Sequence, residues 1–190
     1  MRIAIIGGIG SGKSEVMKIA KERGFFCISA DEINSELIKT PSYIQKIQTA
    51  FPSAVRDGVV DKKTLASIVF SDERERKKLN SIAHPEIMRA IAEHTENPLA
   101  IELPLFIEGG DEAFDEIVYV RTPLLTRIAR LKKGRGMNVA QAIRRIRSQV
   151  PSSVLMAKST QIIDNKGSLN KLKKRATVLF DKILEKHKEI

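Results

Sequence analysis

Eight residues near the start of the chain, Gly7-Gly8-Ile9-Gly10-Ser11-Gly12-Lys13-Ser14, dictate the architecture around them. They follow the apolar run Ile3 to Ile6 and open a stretch patterned as a helix from Ser14 to about Arg23. Strand, glycine-rich loop and helix, in that order, are the context that the pattern G-x-x-x-x-G-K-[ST] needs to bind phosphate. Gly7, Gly10 and Gly12 allow backbone conformations that a side chain resists, so successive N–H groups can converge on phosphate oxygens. The helix dipole and the Lys13 ammonium add to that attraction, and the Ser14 hydroxyl is suited to a magnesium ion. A glycine-rich turn with a solvated lysine is the plainer reading. It is set aside because the full motif stands in its full context.

Beyond the loop the pattern alternates strand and helix, as in an α/β core. Phe25 to Ile28 reads as a buried strand ending at Ser29-Ala30-Asp31, on the edge where open parallel sheets place ligands. Asp31 is therefore a candidate to accept a proton from a hydroxyl nucleophile or to orient hydrated magnesium, and equally a candidate helix cap. Between Pro41 and Asn97 short helices follow one another: Ser42 to Phe51, Lys62 to Phe70, Asp72 to Ala83 and Pro85 to His94. They form a helical insertion between two sheet strands. His84-Pro85 reads first as a helix start, with an imidazole facing an acceptor as the lesser reading. Leu99 to Leu103 and Ile117 to Val120 are further strands. Glu102 and Glu108 can hold metal or substrate, or simply meet solvent. Thr122-Pro123 opens a helix to Lys133, and Val139 to Gln149 forms the next, joined by Gly134-Arg135-Gly136. A last strand, Gln161 to Ile163, precedes Asp164-Asn165-Lys166-Gly167 and an amphipathic helix from Ser168.

Charge is concentrated in one place. The formal net charge is +10. Between Glu116 and Asp164 there is no acid but 10 cations, and the other 23 cations match the chain's 23 acids. Seven of the fourteen arginines lie between Arg121 and Arg147. Because guanidinium forks match phosphate oxygens in pairs, an arginine-rich helical hairpin reads as a cover that closes over a polyphosphate. A nucleic-acid groove predicts the same charge. Only two tyrosines and no tryptophan are available for base stacking, which counts against that groove. Cys27 is the single cysteine, which excludes a disulfide framework and points to a reducing compartment. No apolar run reaches the ~20 residues that a membrane helix needs. The reading is a cytoplasmic protein.

In this order of landmarks the chain resembles the dephospho-CoA kinase family of P-loop enzymes. The likeness is carried by Gly7 to Ser14, Ala30-Asp31, Asp57-Gly58 with Val69-Phe70-Ser71-Asp72, His84-Pro85-Glu86-Ile87, and Pro104-Leu105-Phe106-Ile107-Glu108. It continues through Asp115, Arg130-Leu131, Arg145-Ile146 with Gln149, and Asp164 to Ser168. The resemblance implies a three-layer P-loop NTPase fold: a five-stranded parallel sheet, a helical acceptor-binding insertion and an arginine-rich lid. The expected divisions are a core of about 1–31, 98–122 and 150–190, an insertion of about 32–97 and a lid of about 123–149. It implies transfer of the ATP γ-phosphoryl to the ribose 3′-hydroxyl of dephospho-coenzyme A, with Mg2+. Lys13, Asp31 and Arg145 then take catalytic roles. Gly8, Gly10, Ser11, Gly12, Lys13, Ser14, Glu15, Arg145 and Asn165 would hold ATP, with Ser14 on the metal and Asn165 near adenine. Asp31, His84, Pro104 and Glu108 would meet the acceptor.

Some positions depart from the family pattern. Ser29 replaces the first aspartate of Asp-Ala-Asp, Glu15 stands where threonine usually follows the loop serine, and Arg127 replaces a glutamine. Gly134 with Arg135 displaces a lid arginine, and Ser159-Thr160 stands for Ala-Asp near the adenine end. The expected partners are ATP and dephospho-CoA, without nucleic acid or membrane, in a monomer or weak homo-oligomer. The rival readings are another nucleoside or nucleotide kinase, and a non-catalytic nucleic-acid-binding P-loop protein.

Overall fold

The computed structural model describes residues 1–103 and 110–187. The chain divides into two compact units, Met1–Ser29 with Glu96–Ile190, and Ala30–Thr95.

The first unit is built on a parallel sheet of β1 (Arg2–Ile6), β2 (Phe26–Ser29), β5 (Leu99–Leu103), β6 (Glu116–Arg121) and β7 (Gln161–Asp164), in the order β2-β5-β1-β6-β7. Parallel strands need long crossovers that cover both faces, so their residues are apolar in continuous runs and not alternating ones. β1 follows this rule: Ile3, Ala4, Ile5 and Ile6 are all buried. Against one face pack α1 (Lys13–Glu22) and α9 (Leu169–Lys186), which bring Val16, Ile19, Ala20, Leu172, Ala176, Phe180 and Ile183 to Ile3, Ile5, Val118 and Ile163. Phe25 and Phe180 meet as a tilted pair with ring centroids 5.4 Å apart. Such a contact adds about 1 kcal/mol to what burial of the two rings contributes.

Register decides where ligands can bind. Ile6 lies beside Leu103 of β5 and Tyr119 of β6, so the chain leaves the central strand between two neighbours whose crossovers diverge. This is the switch point of an open α/β sheet. The glycine loop occupies it.

At the opposite, amino edge a buried carboxylate ties the sheet to its last helix. Glu116 accepts hydrogen bonds from Thr160, from Gln161 Nε2 (3.4 Å) and from Lys186 Nζ (2.6 Å). Thr160 therefore stands at the amino end of β7, far along that strand from Asn165. The expectation that it lies near an adenine is corrected: its hydroxyl is committed to Glu116, and it accepts from the Ile117 N–H at 2.9 Å.

The second unit contains α2 (Ala30–Leu37), α3 (Pro41–Ala50), the short hairpin β3 (Val55–Arg56) and β4 (Val59–Val60), α4 (Lys62–Ser71) and α5 (Glu73–Glu93). The two-residue turn Asp57-Gly58 has positive φ at both positions, 50° and 73°, the form that suits the twist of a hairpin. Asp61 caps α4, accepting from the Lys63 and Thr64 N–H groups, and Asp72 caps α5 through Arg74 N–H. The two helices expected over 72–83 and 85–94 are one. Pro85 lies inside α5, where it forfeits the hydrogen bond to the Ser81 carbonyl, a loss that burial of Ala83, Ile87 and Ile91 around it offsets.

The arginine-rich segment forms α6 (Leu124–Arg135) and α7 (Val139–Arg147), followed by a short α8 (Ser152–Ala157) that periodicity did not reveal. α6 runs straight through Gly134 and Arg135 and stops at Gly136 (φ 63°), so the joint is Gly136-Met137-Asn138 and not Gly134-Arg135-Gly136. Asn138 and Gln141 cap α7 reciprocally, as their spacing predicts.

Candidate active site

The phosphate loop is a backbone structure, and at two of its glycines side chains from outside the loop come close. Gly12 has φ 92°, and a Cβ there would lie 2.4 Å from Asn165 Nδ2. At Gly8 a Cβ would lie 2.2 Å from the Arg127 guanidinium. Side chains from outside the loop therefore fill the space that larger residues would need.

Five side chains from four segments reach the loop. Arg127 of α6 is buried and donates from Nε to the Ile9 carbonyl (2.8 Å) and from Nη2 to Gln149 Oε1 (3.1 Å). Gln149 Oε1 also accepts the Ile9 N–H (2.7 Å), so both polar groups of Ile9 are held. Arg130, one turn further along α6, reaches the Ser11 carbonyl (3.2 Å), the Gly10 carbonyl (3.4 Å) and Asn165 Oδ1 (3.2 Å). Asn165, just past β7, donates from Nδ2 to the Ser11 carbonyl at 2.7 Å. Thr122 was expected to cap α6; Pro123 takes that position, and the Thr122 hydroxyl donates to the Ser11 carbonyl at 2.8 Å.

Lys13 begins α1, and its ammonium folds back to the Gly7 carbonyl (2.8 Å), with Glu102 Oε1 at 3.9 Å. Ser14 is exposed in the first turn. Glu15 turns its carboxylate to Lys18, 2.7 Å away, along the surface of α1. Arg145 is exposed on α7 together with Arg144 and Arg147. Burial of Arg127 pushes its guanidinium below its usual range, though it remains a cation at any physiological pH.

The predicted residues are thus gathered unequally. Gly8, Gly10, Ser11, Gly12, Lys13, Ser14, Glu15, Arg145 and Asn165 belong to the first unit. Asp31 and His84 belong to the second. Asp31 is exposed in the first helical turn of α2, past the position of an N-cap, which removes the capping alternative and leaves its carboxylate in solvent. His84 is half-buried in α5, and desolvation pushes its imidazole below the usual range. Pro104 and Glu108 lie outside the described residues. Sequence reasoning missed the contact of Thr122 with the loop, and it did not foresee that Arg127 and Arg130, within the arginine-rich segment read as a cover, face loop carbonyls. A signal was present: Arg127 and Leu131 share one side of α6, so a guanidinium stood at core spacing in a segment without acids.

The loop can hold a polyphosphate at a helix N-terminus, an element that phosphoryl transfer requires. Comparisons with known proteins agree. Residues 1–171 match the family model described as dephospho-CoA kinase. The chain is 35% identical over 184 residues to a dephospho-CoA kinase of Corynebacterium glutamicum, covering 91% of this chain and 94% of that protein. Among solved structures, a protein from Thermus thermophilus is 30% identical and superposes with a TM-score of 0.80 over 98% of this chain and 97% of that one. A shikimate kinase from Acinetobacter baumannii, 14% identical, shares the fold alone, with a TM-score of 0.55 over 97% of this chain and 90% of that one.

Proposed function

The chain belongs to the dephospho-CoA kinase family, a family of ATP-dependent transferases, and from that premise we propose that it transfers the ATP γ-phosphoryl to the ribose 3′-hydroxyl of dephospho-CoA by in-line displacement. The observation that carries the reading is the glycine loop at the sheet's switch point, followed by Lys13 at the first position of a helix. Loop amides and Lys13 hold the β- and γ-phosphates, replacing the carbonyl that Lys13 now engages. Asp31 orients the acceptor hydroxyl and takes its proton as oxygen bonds to the γ-phosphorus. The bond from the γ-phosphorus to the β–γ bridging oxygen breaks, and ADP leaves with that oxygen. Arg145, with its neighbours on α7, neutralises the charge moving onto ADP. His84 contributes to holding the acceptor, as do Pro104 and Glu108.

The residues present fit a magnesium ion: the Ser14 hydroxyl is a hard oxygen donor, exposed one residue past Lys13 at the end of the phosphate loop. Bound with the triphosphate, Mg2+ would supply neutralisation of the phosphate charge. We further infer a cytoplasmic monomer or weak homo-oligomer without a nucleic-acid partner. The unpaired Cys27 supports the reducing compartment, and no helix among the described residues is long and apolar enough to cross a membrane.

The test is ADP release coupled to a reporter, with dephospho-CoA, adenosine, AMP or no acceptor. Acceptor-dependent turnover is expected with dephospho-CoA and little with the others. Preference for AMP or adenosine would overturn the acceptor assignment.

A further inference from the structure

Three donors converge on one carbonyl oxygen. Asn165 Nδ2 (2.7 Å), the Thr122 hydroxyl (2.8 Å) and Arg130 Nη1 (3.2 Å) all reach Ser11 O, and Arg127 Nε reaches Ile9 O two peptides earlier. Ser11 is buried, so its carbonyl needs a partner, but one donor meets that need and three reach it. Together the donors fix orientation. In a trans peptide the C=O and the following N–H point in opposite directions, so drawing the Ile9 and Ser11 carbonyls toward α6 and Asn165 turns the Gly10 and Gly12 N–H groups the other way. The two neighbouring amides are already committed, Ile9 N–H to Gln149 and Ser11 N–H to Gly8 O (3.0 Å).

We propose that Arg127, Arg130, Thr122 and Asn165 form a latch behind the phosphate loop that presets the Gly10 and Gly12 amides toward the polyphosphate before it binds. They are positioning residues, acting through the loop backbone and not by touching the nucleotide. The inference rests on the kinase reading for its ligand. Each latch atom also polarises the peptide it holds, and two of the four side chains are cationic, which makes the opposite N–H a better donor to an anion. The same geometry gives Asn165 a role: both ends of its buried amide are spent, one on Ser11 and one on Arg130.

Three substitutions separate orientation from charge and from folding. Asn165→Asp puts an acceptor where Nδ2 donates, opposing the Ser11 carbonyl, while Arg130 gains a carboxylate partner that supports the fold. Arg127→Met keeps the buried stem and deletes both donors. Arg127→Lys keeps the charge but lacks the rigid planar fork that spans the Ile9 carbonyl and Gln149 Oε1. Binding of ATP is followed by calorimetry without acceptor, alongside steady-state kinetics with dephospho-CoA. Asn165→Asp and Arg127→Met are expected to weaken ATP binding about tenfold or more, and to raise the KM for ATP with the KM for dephospho-CoA unchanged. Arg127→Lys should recover only part of the loss. Thr122→Val, which removes one hydroxyl and keeps the shape, should weaken ATP binding by about threefold or more and decides the matter if Arg127→Met does not fold. Wild-type ATP affinity in folded Asn165→Asp and Thr122→Val, or full recovery by Arg127→Lys, would overturn the latch. If the wild type releases no ADP with dephospho-CoA while these variants still lose ATP, the latch stands and the acceptor assignment falls.

Discussion

Lys13 shows how one side chain is held at the phosphate loop. Its ammonium donates to Gly7 O at 2.8 Å, a neutral acceptor weaker than a phosphate oxygen, with Glu102 Oε1 at 3.9 Å. Lys13→Ala should therefore leave the melting temperature close to that of the wild type while kcat/KM for ATP falls by about a hundredfold or more, read from initial rates. Asp31 acts on the other reactant. Exposed at the first turn of α2, it supplies no packing, so Asp31→Asn keeps the fold. It should lower kcat by roughly 10²- to 10⁴-fold with little change in the KM for ATP, the signature of a lost proton acceptor. An unchanged kcat would remove Asp31 from the chemistry. For Arg145, which faces solvent on α7, substitution by alanine should reduce turnover by about 10³-fold and disturb acceptor KM far less, if transition-state charge is what it meets.

At the scale of elements, the parallel sheet was legible because its strands announce themselves as unbroken apolar runs, and because the loop motif demands a strand before it and a helix after it. Helix limits were less so. Pro85 was read as a beginning, yet apolar residues on both sides keep α5 continuous across it, and the tertiary gain outweighs one missing hydrogen bond. Gly134 was read as a joint, although the chain there stays helical to the positive φ of Gly136. Thr122 looked like a cap, and only spatial structure brings its hydroxyl to Ser11, 111 residues away in sequence. The same holds for Glu116, which no local pattern marks as buried. Burial pushes its carboxyl up, but the hydrogen bonds from Lys186, Thr160 and Gln161 prevail and hold it below the usual carboxylate range. A lowered folded pKa stabilises above the unfolded value and is lost as pH falls through the folded one. Glu116→Gln should thus cost about 1–3 kcal/mol in urea unfolding at pH 7, with the gap to wild type narrowing as the buffer is taken below pH ~4.

Across the whole molecule, stability is divided between two units, and pH should act on them differently. The second unit, Ala30–Thr95, carries the half-buried His84, whose desolvation lowers its pKa in the folded state. The unfolded chain then binds a proton more readily than the native one, so stability rises with pH through this window. Acidifying from pH 7.5 through ~6.5 toward the lower folded value should weaken the second unit progressively, after which the effect levels off. Carboxylates do not confuse the measurement: Glu86, held low mainly by the hydrogen bond from Lys46, stays ionised over the same range. Hydrogen exchange at pH 7.5 and 6.0, corrected for intrinsic rates, should show amides of α3 and α5 losing protection while those of β1 and β6 keep theirs. His84→Gln, unable to take up the proton, should flatten the difference. Equal loss of protection in both units, or a slope that persists in His84→Gln, would show that the imidazole does not set the acid limit of this part of the fold.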